Sequence, residues 1–283
     1  MASPVAVGGG VLGAAAVGVG GAYLAGAFEG LGSSEVEIEQ KIVLLSQNSE
    51  FKTEYGTDGK IGKDYGNYLV APFGDTSASK DGQIKENNRK WWEQSYENWK
   101  RDSENSSQTL SEEFKDTSKV SKAFSDSTDV SDSSTALNRV CKSIYVKEKS
   151  TITLNTGSTG NEVKLKRDLF KYCSILGEVK TISEAEEIYN TDTKGKEDAN
   201  AKKFIAVNGN DKFWAKRNEE FNDISNAGEK SRSKSTVTTS KFKTGLEGNL
   251  KSSVKDICQE AYKSSKDNQI DYPTAEVDIF CTL

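Results

Sequence analysis

Four cysteines have the clearest chemical potential in this chain: Cys141, Cys173, Cys258 and Cys281. In an oxidising medium four cysteines can form two disulfides, with three possible pairings. An internal repeat, described below, favours Cys141 with Cys173 and Cys258 with Cys281. Four buried thiols are the alternative, because free cysteine is often an ordinary core residue. No pair has C-x-x-C spacing, which argues against a zinc ribbon and against a thioredoxin-like redox pair.

Motifs for catalysis or cofactor binding are not found. The chain has no histidine, which removes Ser-His-Asp and Cys-His nucleophiles and the common zinc sites that contain histidine. "GLEGNLKSS", from Gly245, lacks phosphate-loop spacing, and no calcium loop of the D-x-D-x-D-G type occurs. Acidic residues are abundant, but no spacing places two of them across a cleft as acid and base. We therefore predict no catalytic, cofactor-binding or metal-binding residues, and a protein that is not an enzyme.

A run of aromatic residues could form a platform for a sugar or a cationic ligand. It consists of Trp91, Trp92, Tyr96 and Trp99. Trp92, Tyr96 and Trp99 follow the i, i+4, i+7 spacing of one helix face, which favours ordinary core packing. Trp91 lies off this stripe and is the residue of the run most suited to ligand contact.

The N-terminus predicts a membrane anchor within residues 1–33. Val5–Phe28 contains no charge in 24 residues, of which eight are Gly and seven Ala. This length spans a bilayer, and membrane helices tolerate glycine. In water each glycine would cost a helix about 1 kcal/mol relative to alanine. A cleaved signal peptide ending near Ala25–Ala27 is the alternative, although no basic residue precedes the apolar run; a soluble Gly-rich segment is the third.

An internal repeat divides the rest of the chain. Four landmarks occur twice in the same order. They are "SEVE" from Ser34 and "SEAE" from Ser183, "KWWEQSYENW" from Lys90 and "KFWAKRNEEF" from Lys212, "RVCKSIY" from Arg139 and "DICQEAY" from Asp256, and "YCSI" from Tyr172 and "FCTL" from Phe280. The first pair has the form of a helix capping box. The repeat predicts two units, residues 34–176 and 177–283.

Hydrophobic periodicity predicts a mainly α fold with minor strand content and long polar insertions. The insertions are the Ser/Asp-rich segment 102–135, with a helix over Leu110–Phe124, and the segment 231–245; their composition predicts exposure. The segment "TITLNTGSTGNEVKLK", from Thr151, alternates like a hairpin. A helix from near Glu162 to Cys173 is the competing prediction.

Composition indicates small cores and a polar surface. Hydrophobic residues make up 34% of the chain and the mean hydropathy is -0.66, but aromatic residues reach 9%, which argues against disorder. The net charge is -5 and no basic stripe occurs, so nucleic acid is not an expected partner.

These features together resemble a known family, the paralogous membrane proteins of haemotropic mycoplasmas. The resemblance rests on the Gly/Ala-rich Val5–Phe28 and on two divergent units that each contain a tryptophan-bearing helix, a mid-unit cysteine and a closing aromatic-Cys pair. It implies a surface-exposed protein of a bacterium with a single membrane, in contact with the host or antigenically variable. It supplies no catalytic or binding residues. The long insertion 102–135 departs from the compact pattern of that family.

The expected function is therefore that of a single-pass, membrane-anchored surface protein. The N-terminal helix would contact the lipid bilayer, and the C-terminal region would lie outside the cell, where host cells or antibodies are its partners. Orientation is not fixed by charge, because the first basic residue is Lys41 and four glutamates precede it. A surface or secreted hydrolase with an unidentified carboxylate site is one alternative, and a self-associating structural membrane protein is another.

Overall fold

The computed structural model describes residues 42–49, 51–74, 88–105, 109–126, 134–152, 160–226 and 228–283. These residues form ten α-helices and no β-strand; isolated β-bridges replace the expected minor strand content. The predicted span Val5–Phe28 and the predicted capping box at Ser34–Glu37 lie outside the described residues. Among the helices that are described, none is both long enough and apolar enough to cross a bilayer.

The helices fall into two sets of five. Residues 42–176 contain α1 (Phe51–Glu54), α2 (Ile61–Tyr65), α3 (Arg89–Glu104), α4 (Leu137–Tyr145) and α5 (Asn161–Cys173). Residues 177–283 contain α6 (Asp198–Ala201), α7 (Asp211–Asn222), α8 (Lys241–Thr244), α9 (Val254–Lys263) and α10 (Thr274–Phe280). Four single-turn 3-10 helices lie at Leu45–Gln47, Lys149–Thr151, Lys194–Lys196 and Arg232–Lys234.

The longer helices bury the faces that their periodicity predicts. On α3, Trp92 and Trp99 are fully buried, while Tyr96 is only partly buried and stacks on Trp99. Helices α4 and α9 turn their cysteines and closing tyrosines into the core. Large aromatic side chains contribute most of the apolar area in such small cores.

A buried asparagine organises the start of α3. The side-chain amide of Asn88 donates to the carbonyl oxygens of Val43 and Ala71, both at 2.8 Å, and its oxygen accepts from the Val43 amide at 3.0 Å. The Trp92 indole also donates to Ala71 O, at 3.3 Å. One side chain thus bonds to three main-chain groups of segments that lie in neither helix nor strand.

The start of α7 repeats this arrangement. The amide nitrogen of Asn210 donates to the carbonyl oxygens of Lys180 and Ala206, both at 2.9 Å, and its oxygen accepts from the Lys180 amide at 2.8 Å. The indole of Trp214 donates to Ala206 O at 2.8 Å. These contacts align Trp92 with Trp214, as the sequence landmarks do.

A tyrosine and a disulfide close each set. The hydroxyl of Tyr145 donates to the carbonyl oxygens of Val70 and Cys173, at 2.9 and 3.1 Å. The Cys173 carbonyl also accepts from the Val70 amide at 3.0 Å. Cys141 forms a disulfide with Cys173, which joins α4 to the end of α5.

The second set closes in the same way. The hydroxyl of Tyr262 donates to Ile205 O and Cys281 O, at 2.9 and 3.3 Å, and a disulfide joins Cys258 to Cys281. In the chain-entropy account a disulfide that closes a loop of this length stabilises the fold by about 3–4 kcal/mol. The same contacts thus occur in the same order in the described parts of the two predicted units, residues 34–176 and 177–283.

The equivalence places the capping box elsewhere than predicted. Thr181 N donates to Glu184 Oε2 at 2.7 Å, and Glu184 N donates to Thr181 Oγ1 at 3.3 Å. In the first unit Leu44 N donates in the same way to Gln47 Oε1, at 3.0 Å. The box predicted at Ser183–Glu186 is therefore wrong; these residues lie in turns, and Glu186 has a positive φ of 54°.

The helix predicted over Leu110–Phe124 does not form. Ser111 N donates to Asp168 at 2.6 Å and Glu112 N to Asn161 at 2.7 Å, so the start of the segment is fixed to α5. Further along, Ser118 N donates to Asp116 at 2.8 Å. Such a local side-chain bond competes with helix formation. The segment 109–126 therefore runs as successive turns.

Neither insertion is as exposed as its composition predicts. In the first unit Leu110, Phe114 and Val120 are buried, and the Trp99 indole donates to Phe114 O at 2.8 Å. In the second unit Phe242 is fully buried between Phe221 and Phe280. A few apolar residues in each insertion thus complete the core of its unit.

The second of the two predictions for "TITLNTGSTGNEVKLK" is correct. Asn161–Cys173 is helix α5, so a hairpin is excluded over those residues. Residues 153–159 lie outside the described part of the chain.

Replacing Asn210 with alanine tests the asparagine arrangement. Asn210→Ala leaves the Lys180 amide without its partner and removes one of the hydrogen bonds to each of two carbonyl oxygens, so we expect it to lower the free energy of unfolding by about 1–3 kcal/mol. Urea unfolding of the oxidised chain, followed by tryptophan fluorescence, measures the change. The matched control Asn222→Ala removes an exposed side chain at the end of the same helix and should cost no more than about 0.5 kcal/mol. Equal effects of the two substitutions would contradict the role given to Asn210.

Candidate functional site

The predicted cysteine sites have a structural position. Cys141, Cys173, Cys258 and Cys281 are all fully buried and all disulfide-bonded. A disulfide-bonded cysteine has no thiol that could ionise to the reactive thiolate. None of the four can therefore act as a nucleophile in this state.

The aromatic run does not form an open platform. Trp92 and Trp99 are fully buried, and Trp91 packs partly buried against the core with its ring edge-on to Trp92, at a centroid distance of 4.7 Å. Phe213, the counterpart of Trp91 in the second unit, is buried. Core packing therefore accounts for these rings better than ligand stacking does.

Each unit holds a buried carboxylate five residues before its last cysteine. In the first unit Asp168 accepts from the Ser111 amide at 2.6 Å and from Arg167 Nη2 at 2.7 Å. Burial raises the pKa of Asp168 above its ordinary value, against the opposing effect of Arg167 and of the Ser111 amide. The carboxylate fixes the beginning of the described part of the insertion to α5.

Glu276 has the same role in the second unit. Its carboxylate accepts from the hydroxyls of Ser235 and Ser240 and from the amides of Thr236 and Val237, the amides at 2.9 and 3.1 Å. The second insertion is thereby fixed to α10. Neither carboxylate lies free in a cleft, so neither is a candidate catalytic acid or base.

A polar cleft of about 400 Å³ opens between the first insertion and α4. It is lined by Glu112, Glu113, Ser118, Lys119, Ser134, Thr135, Val140 and Ser143. Although burial favours the neutral acid, hydrogen bonds from Lys147 and Asn161 hold the pKa of Glu113 below its ordinary value. Hydroxyl and carboxylate groups in an open cleft suit a hydrogen-bonding partner rather than an apolar one.

A second polar site lies between the two units, centred on the fully buried side chain of Arg217. Its Nη1 donates to the carbonyl oxygens of Ile279, Phe280 and Thr282, at 3.3, 3.0 and 2.8 Å. These oxygens lie at and just beyond the C-terminal end of α10, where a cation is favourable.

The rest of the guanidinium crosses to the first unit. Arg217 Nη2 donates to the Tyr68 hydroxyl at 3.2 Å, and Nε donates to Glu220 at 3.2 Å. The Tyr68 hydroxyl donates in turn to Glu220 at 3.1 Å. Burial raises the pKa of Tyr68 to about 12. Arg217 lowers this pKa and Glu220 raises it, both by less than burial does. The phenol therefore stays protonated and serves as both donor and acceptor.

A buried ion pair also joins the units. Lys166 Nζ, on α5, lies 2.7 Å from a carboxylate oxygen of Glu184 in the second unit. Burial lowers the pKa of Lys166 although Glu184 opposes the shift. Such a pair adds little net stability but is costly to break from one side. Polar contacts therefore fix how the two units meet.

Comparison of the chain with known protein-family models, with curated proteins and with solved structures found no match. Within the described residues, no cluster of His, Cys, Asp or Glu could hold a metal ion. The sites described above are therefore identified from the geometry of this structure and not from a related protein.

Two of these sites could not be predicted from sequence patterns. Arg217 occupies the position of Ser95 in the first unit. The only sequence signal for the Arg217 site was a cation, in "KFWAKRN", on a helix face that is otherwise apolar. The signal for Asp168 and Glu276 was their common distance from the last cysteine of each unit, a spacing that only the aligned repeat exposes.

Removing one hydroxyl tests the contact between the units. Tyr68→Phe leaves Arg217 Nη2 and Glu220 short of one partner each, and we expect a loss of about 1–2 kcal/mol in the free energy of unfolding. Chemical denaturation measures it. The matched control Tyr96→Phe removes an exposed hydroxyl bond, to Ser121 O, and should be nearly neutral. A Tyr68→Phe protein as stable as the wild type would refute the contact.

Proposed function

We propose that this protein works outside the cytoplasm, as a surface protein that contacts the host or is displayed to antibodies. The observation that supports this most is the pair of disulfides, one at the centre of each unit. Structural disulfides persist in oxidising compartments and are rare in the cytosol. In each unit the second cysteine of the disulfide also accepts a hydrogen bond from the tyrosine hydroxyl on its main-chain carbonyl. The core is therefore built around the oxidised form.

Membrane attachment through Val5–Phe28 is part of the proposal. It is supported by the uncharged length of that segment and by the resemblance to the mycoplasma family. In a bacterium with a single membrane, a chain region beyond the anchor would face the host directly.

The polar cleft of the first unit is the surface that we propose for contact. Ser118, Lys119, Ser134 and Ser143 on its rim are exposed, and the core does not depend on their identity. Exposed turn positions on a cross-linked scaffold tolerate change better than the buried residues of the same insertion. The alternatives, a hydrolase or a self-associating structural protein, gain no support from a described site.

Surface location is tested with one engineered thiol. All native cysteines are disulfide-bonded, so Lys251→Cys introduces a single reactive group at an exposed position of the second unit. An impermeant maleimide should label it on intact cells as fully as it does after lysis. The wild-type chain, with no free thiol, gives the background. Labelling only after lysis would overturn the extracytoplasmic proposal.

Host contact is tested by changing the rim of the cleft without touching the core. Bacterial cells that display the full-length chain should adhere to erythrocytes, the cells that a haemotropic bacterium meets. We expect Lys119→Glu with Ser134→Lys to reduce adhesion about tenfold, the effect of losing roughly 1.4 kcal/mol of binding. Lys251→Glu with Ser225→Lys, exposed positions of the second unit, is the matched control. Equal adhesion by both double variants would exclude the cleft as the contact surface.

A further inference from the structure

The bend before α7 contains the only Asn-Gly pair of the chain, Asn208–Gly209. Both residues are exposed, whereas Val207 before them and Asn210 after them are buried. Gly209 has a φ of 75°, in the left-handed region that glycine adopts without steric cost. The pair therefore lies at the surface between two positions that are anchored in the core.

The two groups of this pair that could react with each other are not held by other contacts. In the described part of the chain, nothing hydrogen-bonds to the side-chain amide of Asn208 or to the main-chain N–H of Gly209. A methyl group in place of a side chain at Gly209 would have no atom within 4 Å beyond its chain neighbours. The Asn208 side chain is therefore free to approach the nitrogen of the next residue.

The main chain around the pair is held more firmly than its side chain. Asn208 N donates to Glu187 Oε1 at 2.7 Å. The Asn210 side chain donates to Ala206 O at 2.9 Å and to Asn208 O at 3.4 Å. A donor on the carbonyl oxygen of a peptide group draws electron density from that group, so it makes the N–H of Gly209 easier to deprotonate.

Other asparagines of the described residues lack this combination. Asn249 is also exposed, but its Oδ1 accepts from Lys251 N at 3.0 Å, and the bulky Leu250 follows it. Asn210 is buried, with its side chain fully engaged. In the first unit the glycine after the matching Ala71–Pro72 is Gly74, and Phe73 precedes it. The reactive pair is thus particular to the second unit.

We propose that Asn208 is a site of spontaneous covalent modification, which converts it to aspartate and isoaspartate through a cyclic imide. The main-chain N–H of Gly209 loses its proton to hydroxide, and the nitrogen attacks Cγ of Asn208. The N–Cγ bond forms, the Cγ–Nδ2 bond breaks, and the amide nitrogen leaves as ammonia after taking a proton from water. The reacting groups belong to one chain, so the step is unimolecular and needs no second molecule to be bound.

Water then opens the imide in one of two ways. Breaking the N–Cγ bond gives aspartate, and breaking the bond between the nitrogen and the main-chain carbonyl carbon gives isoaspartate. One water molecule is consumed and one ammonia released overall, with no change in oxidation state. Either product adds a negative charge to an exposed bend whose main-chain N–H donates to Glu187. Isoaspartate also lengthens the main chain by one carbon between Ala206 and Asn210.

The proposal is tested by incubating the full-length, disulfide-bonded chain in neutral buffer at physiological temperature. Samples are digested in mildly acidic buffer, which prevents conversion during handling, and analysed by peptide mass spectrometry. We expect Asn208 to convert at least about tenfold faster than Asn249, because glycine places no side chain beside the attacking nitrogen. The rate should rise with pH, since the attacking amide must lose a proton. A protein isoaspartyl methyltransferase should label the peptide that contains residue 208.

A peptide of residues 204–212 shows whether the fold leaves the pair free to react. The rate in the folded chain should lie within about tenfold of the rate in this peptide, because the side chain of Asn208 has to break no contact to reach its neighbour. A slower rate in the folded chain would overturn the proposal, and so would an Asn208 rate that does not exceed the Asn249 rate by the expected factor.

Two variants assign the reacting groups. Asn208→Gln keeps the main-chain bond to Glu187 and should abolish the conversion, because the longer side chain would have to close a larger ring. Gly209→Ala should slow the conversion at least about tenfold and leave the rate at Asn249 unchanged. Unchanged conversion in Gly209→Ala would show that the Gly209 amide is not the attacking group. These results do not depend on where the protein is located, so they are independent of the surface-protein proposal.

Discussion

The fold depends on pairing main-chain groups that lie in neither helix nor strand. Because the described residues contain no β-strand, extended segments such as 42–44 and 179–182 cross the core with only isolated bridges to pair part of their main chain. The side chains of Asn88 and Asn210 each accept a hydrogen bond from one main-chain amide of these segments and donate to two carbonyl oxygens. A buried amide or carbonyl left alone would cost about 1–3 kcal/mol, so a side chain with both donor and acceptor capacity is needed at this point.

The covalent and hydrogen-bonded parts of each core meet at one residue. Cys173 and Cys281 each carry a disulfide on the side chain and a tyrosine hydroxyl bond on the carbonyl. The amide of Val70 or Ile205 donates to the same carbonyl. Three separate segments are thereby joined at each cysteine, which explains how units with so little apolar sequence bury their aromatic residues.

Sequence patterns predicted the parts of this structure that depend on periodicity. The faces of α3, α4 and α9 follow from helical spacing, and the order of the landmarks aligned the two tryptophan helices. Patterns failed where a residue bonds to a distant segment. The amides of Ser111 and Glu112 donate to Asp168 and Asn161 on α5, and no local propensity contains that information. The capping box was misplaced for a related reason, since Thr181 and Glu184 offer the same chemistry as the Ser183–Glu186 motif beside them.

The two units differ at one position with a wide effect. Ser95 donates to Tyr172 O at 2.6 Å, entirely within the first unit. At the equivalent place Arg217 bonds to Phe280 O and then reaches Tyr68 across the junction. The two units are therefore complementary at this position and not equivalent. Neither unit alone contains both the guanidinium and its phenol, so each unit supplies a polar partner that the other needs at the junction.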